Sequence, residues 1–284
     1  MKIYYFHSLY LNFNSSQTIQ VIRDYRYLSD KGFEITLSGV YDDDSAYQDI
    51  CHYIAGHNIK IIAASGKSKF SRLLSKLRFL LDVFRHARAN KFFVTRSYQK
   101  TREALFYKNI LPDTYVLMEL HEHALPYLVQ KKKRVNKLSY EKLFAKVDGL
   151  ILTNFSQEQV LQDEFSSLPR YAILPNGVET ARFSSAQPPS TSTLPIVITY
   201  TGQFSSWKNI ELIFQAMALL GDGYQLRIAG GKGDAASEDY IHLLAKKYGL
   251  SSQLDFRGFV RPDKLADTVL DGSSVLLLPL GDNI

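Results

Sequence analysis

The sequence contains a single cysteine, Cys51, among its 284 residues. One cysteine excludes a disulfide framework and is consistent with folding in a reducing compartment. The sequence has no stretch near the roughly 20 apolar residues that a transmembrane helix needs. The first residues, MKIYYFHSLY, lack the long apolar run of a secretory signal and are typical of a first β-strand. We therefore expect a cytoplasmic protein.

The sequence also lacks internal repeats and metal-ligand spacings. A metal site at His121 and His123 would lack a third ligand at a recognisable spacing, so we predict that the protein binds no metal. The segment GGKG at 230–233 is not a complete glycine-rich dinucleotide fingerprint and is a weak signal by itself.

Charge is unevenly distributed along the chain. Residues 1–190 carry 26 Lys and Arg against 18 Asp and Glu, whereas residues 191–284 carry 8 against 10. A positive excess in the first part suits an anionic membrane surface, a nucleic acid or an acidic substrate. We predict no nucleic-acid partner, because no aromatic-stacking motif accompanies the basic residues.

Short apolar runs alternate with segments of helical periodicity, which predicts an α/β protein with parallel sheets covered on both faces. The alternation is interrupted at 184–195, SSAQPPSTSTLP, whose Pro, Ser and Thr cannot build a packed element. We therefore predict a first domain over 1–183, a linker over 184–195 and a second domain over 196–284. The predicted strands are 3–6, 34–38, 59–63, 92–95, 115–120, 149–153, 171–174, 196–201, 224–229, 254–257 and 274–278. The predicted helices are 18–30, 45–56, 69–89, 99–109, 136–146, 156–165, 208–220, 236–248 and 262–270.

The predicted helix 69–89 combines an apolar stripe of helical spacing with many basic residues. We expect the stripe to face the core and the basic residues to be solvated. The alternative is a surface that meets anionic lipid head groups, to which the basic run 131–134 would add. We expect adsorption by charge with little insertion. The stripe comprises Phe70, Leu73, Leu74, Leu77, Leu80, Leu81, Phe84 and Ala87.

The candidate chemistry lies at strand ends, because ligands of open parallel sheets bind beyond the carboxyl ends of the strands. In the second domain these ends read TGQFSSWK, AGGKG, RGFV and LPLGDN, and three have glycine directly after the strand. Lys208 lies near the start of a helix, where free N–H groups and the helix dipole favour an anion. The sequence therefore predicts a phosphate site; the alternative is a surface lysine beside turn glycines.

In the first domain the corresponding positions are His7 after the first strand, Thr95–Ser97 after the fourth and Met118–His123 after the fifth. His121 is a candidate contact for a sugar hydroxyl or a phosphate, with a structural histidine as the alternative. We expect His7 to be structural.

Four stretches, in this order and spacing, resemble the retaining glycosyltransferases of family 4: LPNGVE, YTGQFSSWKNIELIFQAMALL, YQLRIAGGKG and LDFRGFVRPDKLADTVLDGSSVLLLPL. In the first domain, VTRS and ELHEH resemble the strand ends of that family's acceptor-side domain. The resemblance implies a GT-B-like fold of two Rossmann-like domains. It also implies sugar transfer with retention from a nucleotide-sugar donor, UDP- or GDP-linked, with no cofactor and no metal.

The resemblance implies roles for individual residues. Lys208 resembles the lysine that holds the donor diphosphate, and His121 resembles a cleft histidine near the transferred sugar, which makes it the candidate catalytic residue. The implied donor-binding residues are Gly202, Gln203, Lys208, Gly230, Gly231, Gly258, Phe259 and Val260. The implied acceptor-side residues are Arg96, Ser97 and Glu119.

The sequence departs from the family pattern at three places. Gln203 stands where the family often has arginine, and the segment after the first strand, SLYLNFNSSQT, contains no glycine. The chain ends at Ile284, where the family's paired-glutamate motif should begin, so we expect an incomplete second domain.

The implied function is sugar transfer to a cell-surface polysaccharide, lipopolysaccharide or glycolipid precursor, which is a glycan or lipid-linked acceptor. Such an enzyme would be peripheral at the inner face of the plasma membrane. The alternative is a catalytically incomplete fragment that binds a nucleotide or a glycan.

Overall fold

The computed structural model describes residues 1–13, 15–121, 136–178, 180–183, 194–205, 208–231, 233–261 and 264–279. The chain divides into two compact units, Met1–Gly177 (unit 1) and Val178–Ile284 (unit 2). Most of the predicted linker lies outside the described residues, and the predicted domain bounds stay a prediction.

Unit 1 is built on a seven-stranded sheet in the order β3-β2-β1-β4-β5-β6-β7. Neighbouring strands are parallel throughout. A parallel sheet of this kind is buried on both faces, which explains why its strands read as continuous apolar runs. The strands are β1 (Lys2–Tyr10), β2 (Glu34–Tyr41), β3 (Ile59–Ser65), β4 (Lys91–Thr95), β5 (Thr114–Leu120), β6 (Gly149–Leu152) and β7 (Tyr171–Ile173).

The helices of unit 1 begin at residues that suit a helix N-cap. Ser, Asp or Asn precedes each helix, and its side-chain oxygen accepts a hydrogen bond from a backbone N–H of the first turn. Each such cap is worth about 1 kcal/mol. The helices are α1 (Ser16–Asp30), α2 (Asp44–Tyr53), α3 (Lys69–Arg85), α4 (Tyr98–Lys108), α5 (Lys137–Phe144) and α6 (Phe155–Glu164).

Side chains alternate across β1 and enter two separate apolar cores. Tyr4 and Phe6 belong to the core on one face of the sheet, and Ile3 and Tyr5 belong to the core on the other. Each core contains buried aromatic and aliphatic side chains from several strands and helices. Because β1, β4 and β5 are adjacent and parallel, their carboxyl ends lie at one edge of this sheet.

The prediction that the apolar stripe of α3 faces the core was wrong. The helix instead buries Ser75, Phe79, Asp82 and Val83. Leu77 and the other large stripe residues, apart from Leu80, are exposed. The opposite face of the helix is therefore the one that packs on the sheet.

Buried Asp82 is compatible with that packing because strand side chains stabilise its carboxylate. Lys60 Nζ lies 2.5 Å from Oδ1, and the hydroxyls of Tyr4 and Thr36 each donate to Oδ2 at 3.3 Å. Burial by itself would raise the pKa of Asp82, but the hydrogen bond and charge of Lys60 outweigh it and hold that pKa below its usual range. The charged form is therefore the stable one.

Unit 2 contains a four-stranded parallel sheet in the order β10-β9-β8-β11. Its core includes the fully buried Tyr200, Phe214 and Leu226. Its strands are β8 (Ile196–Gly202), β9 (Tyr224–Gly230), β10 (Leu254–Gly258) and β11 (Val275–Leu277). Its α-helices are α7 (Ile210–Met217) and α8 (Ala235–Lys247). A 3-10 helix covers Thr180–Phe183, and a π-helix covers Ala266–Leu270.

The predicted order of strands and helices is confirmed in both units, with bounds that differ by a few residues. One placement was wrong: β1 continues to Tyr10 through a register shift between Tyr5 and Ser8, so His7 lies inside the strand and not after it. Within the described ranges, none of the helices combines the length and apolar character that crossing a bilayer requires.

Candidate functional site

Three neighbouring strands of unit 2 end in glycine at the same edge of the sheet. Gly202, Gly230 and Gly258 are the last residues of β8, β9 and β10, which are adjacent in the sheet. Their φ angles are +149°, +139° and +62°, values that residues with a side chain rarely adopt. The edge therefore presents backbone without side chains over three adjacent strands.

Two of these strand ends approach so closely that only glycine fits. A Cβ atom at Gly230 would lie 1.8 Å from the carbonyl oxygen of Gly202. That oxygen accepts a hydrogen bond from the N–H of Gly231 at 3.0 Å. A Cβ atom at Gly231 would lie 2.8 Å from both the Phe204 ring and the Ser237 Cβ. The sequence therefore needs glycine here to join the two loops.

The loop after β8 is anchored from below. The hydroxyl of buried Tyr200 donates to the carbonyl oxygen of Gln203 at 2.8 Å, and burial raises the pKa of Tyr200 to about 12. The side chain of Gln203 is exposed. Lys208, which is half-buried, closes a turn by donating its backbone N–H to the carbonyl of Ser205 at 2.9 Å.

Lys208 lies two residues before the first residue of α7. Asn209, the N-cap of that helix, has φ +46° and makes no capping hydrogen bond with its side chain. The N-terminus of α8 differs, because the carboxylate of Asp234 accepts from the N–H of Ser237 at 2.9 Å. Of these two helix starts, the one beside Lys208 is the better suited to an anion.

Glu211 in the first turn of α7 would oppose an anion if its charge were uncompensated. Its carboxylate accepts from Lys247 Nζ at 2.6 Å and from the Tyr248 hydroxyl at 2.7 Å. The hydrogen bond from Lys247 is the main reason that the pKa of Glu211 is lowered. The carboxylate is thus engaged by a cation and a hydroxyl.

The loop after β10 adjoins the glycine loop after β9. A Cβ atom at Gly233 would lie 3.4 Å from the Cβ of Phe259. Phe259 and Val260 are half-buried, so they can offer apolar surface to a planar group held over the glycines. The structure thus gathers the predicted residues after β8, β9 and β10 at one sheet edge.

In unit 1 the carboxyl ends of β4 and β5 bring together three predicted residues. Arg96 Nε and His121 Nε2 each lie 3.3 Å from Oε2 of Glu119. The side chains of Arg96 and Glu119 are only 8% and 15% exposed, so this is a buried charge pair. Such a pair holds its partners in one geometry and leaves the ring of His121 at the strand end.

Ser97, also predicted, begins α4. Its hydroxyl oxygen accepts from the N–H of Lys100 at 3.3 Å, and its carbonyl accepts from the Thr101 hydroxyl at 2.9 Å. The side chain is a helix cap whose O–H proton remains available to donate.

Sequence reasoning missed two side chains from α1 beside this cluster. Nη2 of Arg96 donates to Oε1 of Gln20, with 3.5 Å between the nitrogen and the oxygen. The pKa of Asp24 is raised, mainly by burial, and Arg96 and His121 are among the charges that act on it. The signal that could have found them is topological, since the connection from β1 to α1 lies at the carboxyl edge of the sheet.

His7 faces the same cluster from β1. Its pKa is lowered, first by burial and then by the charges of Arg96 and Lys100. Its buried Nδ1 has no hydrogen-bond partner among the described residues. A neutral imidazole with one buried nitrogen left open is a group that a bound hydroxyl can satisfy.

The described residues contain no group of three or more His, Cys, Asp or Glu that could hold a metal ion. His123 lies outside the described residues. The predicted independence from metals and cofactors is not tested by this observation and stays a prediction.

Residues 184–281 match the family model described as glycosyl transferases group 1. No curated protein matches the sequence. Solved structures do match, and their likeness concerns the fold.

A complex of Anabaena Alr3699/HepE with UDP and glucose is 13% identical, with a TM-score of 0.61, over 93% of this chain and 70% of that one. WaaG, a glycosyltransferase involved in lipopolysaccharide biosynthesis, is 14% identical, with a TM-score of 0.59, over 99% and 75%. A mutant of S. aureus TarM in complex with fondaparinux, alpha-GlcNAc-glycerol and UDP is 9% identical, with a TM-score of 0.62, over 97% and 80%.

The likenesses confirm the predicted α/β, GT-B-like fold with Rossmann-like parallel sheets. The family match confirms the predicted resemblance to glycosyltransferases.

Proposed function

We propose that the protein transfers a sugar from a nucleotide-sugar donor to an acceptor, with retention at the anomeric carbon. The match of residues 184–281 to the glycosyl transferases group 1 model supports this proposal. One observation carries the proposal. Three adjacent strands end in the bare backbone of Gly202, Gly230 and Gly258, and Lys208 precedes a helix at the same edge.

The donor diphosphate is assigned to the loop 202–208. As the sugar leaves, negative charge grows on the diphosphate, and Lys208 with the first N–H groups of α7 stabilises that charge. Gly202, Gly230 and Gly231 let the backbone approach the phosphates. Gln203 contributes its anchored backbone, with its exposed amide free to turn toward the ligand.

The nucleoside is assigned to the loop after β10, where Gly258, Phe259 and Val260 flank the base. We propose uridine as the nucleoside, because the HepE and TarM complexes contain UDP. We propose that the reaction needs no metal and no cofactor, since the lysine and the helix N–H groups supply the positive charge.

The acceptor is assigned to the cluster at β4 and β5. We propose that His121 contacts a hydroxyl of the bound sugar as the catalytic residue, oriented by Glu119. Arg96 and the hydroxyl of Ser97 would position the acceptor. The acceptor is proposed to be a glycan or lipid-linked precursor of a surface polysaccharide, lipopolysaccharide or glycolipid, which the relation to WaaG supports. The setting would be the inner face of the plasma membrane.

The second candidate is a non-catalytic module that binds the nucleotide or a glycan. A panel of UDP-sugars and GDP-sugars, with EDTA present, separates the two. Release of UDP with formation of an α-glycoside, at a rate unchanged by EDTA, supports the transferase. Saturable UDP binding without release of UDP from any donor, with or without candidate acceptors, supports the binding module.

A further inference from the structure

The outward face of α3 is an unpartnered apolar surface. Six large apolar side chains on this 17-residue helix are exposed, from Leu74 at 37% to Phe70 at 75%. They recur at helical spacing, so they form one line along the helix. We call this line the α3 stripe: Phe70, Leu73, Leu74, Leu77, Leu81 and Phe84.

The apolar surface extends onto α4. The ring of Phe84 lies 6.3 Å from that of Tyr107, which lies 5.5 Å from that of Phe106. Phe106 is 61% exposed. An exposed apolar surface that continues over two helices indicates an interaction site more strongly than scattered apolar residues do.

Cations border the α3 stripe on both sides. With about 100° of rotation per residue, Lys69 and Lys76 lie on one flank, and Arg78 and Arg85 lie on the other. The acidic residue of α3, Asp82, points inward and pairs with Lys60. On the lysine flank, Lys76 pairs with Glu103 of α4 at 3.4 Å. The outward face therefore combines apolar groups with a net positive charge.

A groove of about 400 Å³ runs beside the stripe on the Arg78 flank. Its lining includes Arg78 and Arg85 of that flank and the stripe residue Leu81. Asp82 also lines it, but its carboxylate is paired with Lys60, another lining residue, so the two arginines leave the groove positive. Two arginines next to an apolar side chain fit a phosphate that is attached to an acyl chain, because guanidinium binds phosphate through paired hydrogen bonds.

We propose that α3 docks on an anionic phospholipid surface, with the α3 stripe among the acyl chains, the flanking cations at the lipid phosphates and one phosphate in the groove. Charge complementarity favours this occupant over a second copy of the chain. A two-fold dimer through this face would set its lysines and arginines against the lysines and arginines of the second copy, because both flanks are basic. This proposal rests on the proposed function only for its biological setting. It differs from the expectation of adsorption by charge with little insertion, because the α3 stripe enters the acyl-chain region of the bilayer.

Vesicle binding tests the proposal with the whole chain and with phosphatidylglycerol–phosphatidylcholine vesicles as the probe. Leu77→Glu/Leu81→Glu should weaken binding at least about tenfold, because two inserting leucines become charged. The matched control Leu219→Glu/Leu243→Glu changes two exposed leucines of unit 2 and should leave binding unchanged. Equal weakening by both pairs would overturn the proposal.

The cations are tested separately. Arg78→Gln/Arg85→Gln should weaken binding roughly 30-fold at low salt, since each cation near an anionic surface contributes about 1 kcal/mol. The control Lys142→Gln/Lys246→Gln, at two exposed lysines, should change it little. Circular dichroism melting of every variant separates lost binding from lost folding.

The depth to which the α3 stripe enters the bilayer is measured by the fluorescence of a tryptophan that replaces one of its leucines. Acyl chains brominated near the head group should quench Leu77→Trp in anionic vesicles and leave Leu243→Trp at the background set by Trp207. Equal quenching of the two variants, or no binding to anionic vesicles, would overturn the proposal. A lipid-free dimer that Leu77→Glu/Leu81→Glu abolishes would reassign the face to a second copy. Failure of vesicle binding leaves UDP binding intact, so it is distinguishable from failure of the proposed function.

Discussion

Replacing Gly230 with alanine tests whether the close contact between β8 and β9 is what glycine provides. The added Cβ would lie 1.8 Å from the carbonyl oxygen of Gly202, an atom of a paired strand that cannot rotate away. It would also force a side chain onto a residue with φ +139°. The variant therefore carries both backbone strain and a clash.

The magnitude follows from these two terms. Strain at such a φ costs about 1–3 kcal/mol. Forcing an additional methyl group into a close-packed contact costs about 1–3 kcal/mol more. Alanine also lowers the conformational entropy of the unfolded chain, which stabilises the folded state by about 0.4–1 kcal/mol. We expect Gly230→Ala to lower the free energy of unfolding of unit 2 by about 3 kcal/mol, and to weaken UDP binding.

Gly249→Ala is the matched control, because Gly249 has φ +71° but no heavy atom within 4 Å of the added Cβ. Gly249→Ala keeps the backbone strain, about 1–2 kcal/mol, without the clash. After the same entropy effect on the unfolded chain, we expect the free energy of unfolding to fall by about 1 kcal/mol. Urea denaturation followed by Trp207, the single tryptophan of the chain, reports on unit 2. Equal losses in the two variants would refute the claim that the strands require glycine at Gly230.

Two further predictions concern single groups. Burial lowers the pKa of His7, so the unfolded chain binds the proton more readily than the folded one. The stability of unit 1 should therefore fall as the pH drops below about 6.5. In denaturation curves across that pH range, His7→Gln should lose less stability than the unaltered protein. Tyr200→Phe removes the hydrogen bond to the Gln203 carbonyl and should lower the stability of unit 2 by about 1 kcal/mol; an unchanged urea midpoint would show that the hydroxyl does not anchor the loop.

The strands and the donor-side strand ends were predictable because their signals are local. Apolar runs that stop at Gly202, Gly230 and Gly258 mark both the strand and the point where it ends. Parallel pairing then places these ends at one edge without further information. The same local pattern predicts a phosphate site at Lys208, which stays a proposal.

The orientation of α3 was not predictable, because its two faces have the same period. The inward face includes Phe79 and Asp82, and the acid is tolerated only because Lys60, Tyr4 and Thr36 reach it from three different strands. Contacts between residues so distant in sequence leave no periodic signal. The prediction therefore chose the more apolar face.

The position of His7 and the participation of α1 were missed for a related reason. The irregularity in β1 extends the strand past the end of its apolar run, which carries His7 into the sheet. Asp24 lies in the third turn of α1 with an exposed side chain, and only the tertiary structure shows that the charges of Arg96 and His121 act on its pKa. Polar side chains that only the tertiary structure brings near one another read as ordinary surface residues in the sequence.

The central claim is that the loop 202–208 holds the diphosphate of a nucleotide-sugar donor. Isothermal titration calorimetry of UDP tests it most directly, with Lys208→Ala and with Lys246→Ala, a control at an exposed lysine of the same unit. Loss of a charge-assisted contact should weaken UDP binding to Lys208→Ala by about 1–3 kcal/mol, and the control should bind as the unaltered protein does. Unchanged affinity in Lys208→Ala, or an equal loss in Lys246→Ala, would contradict the account.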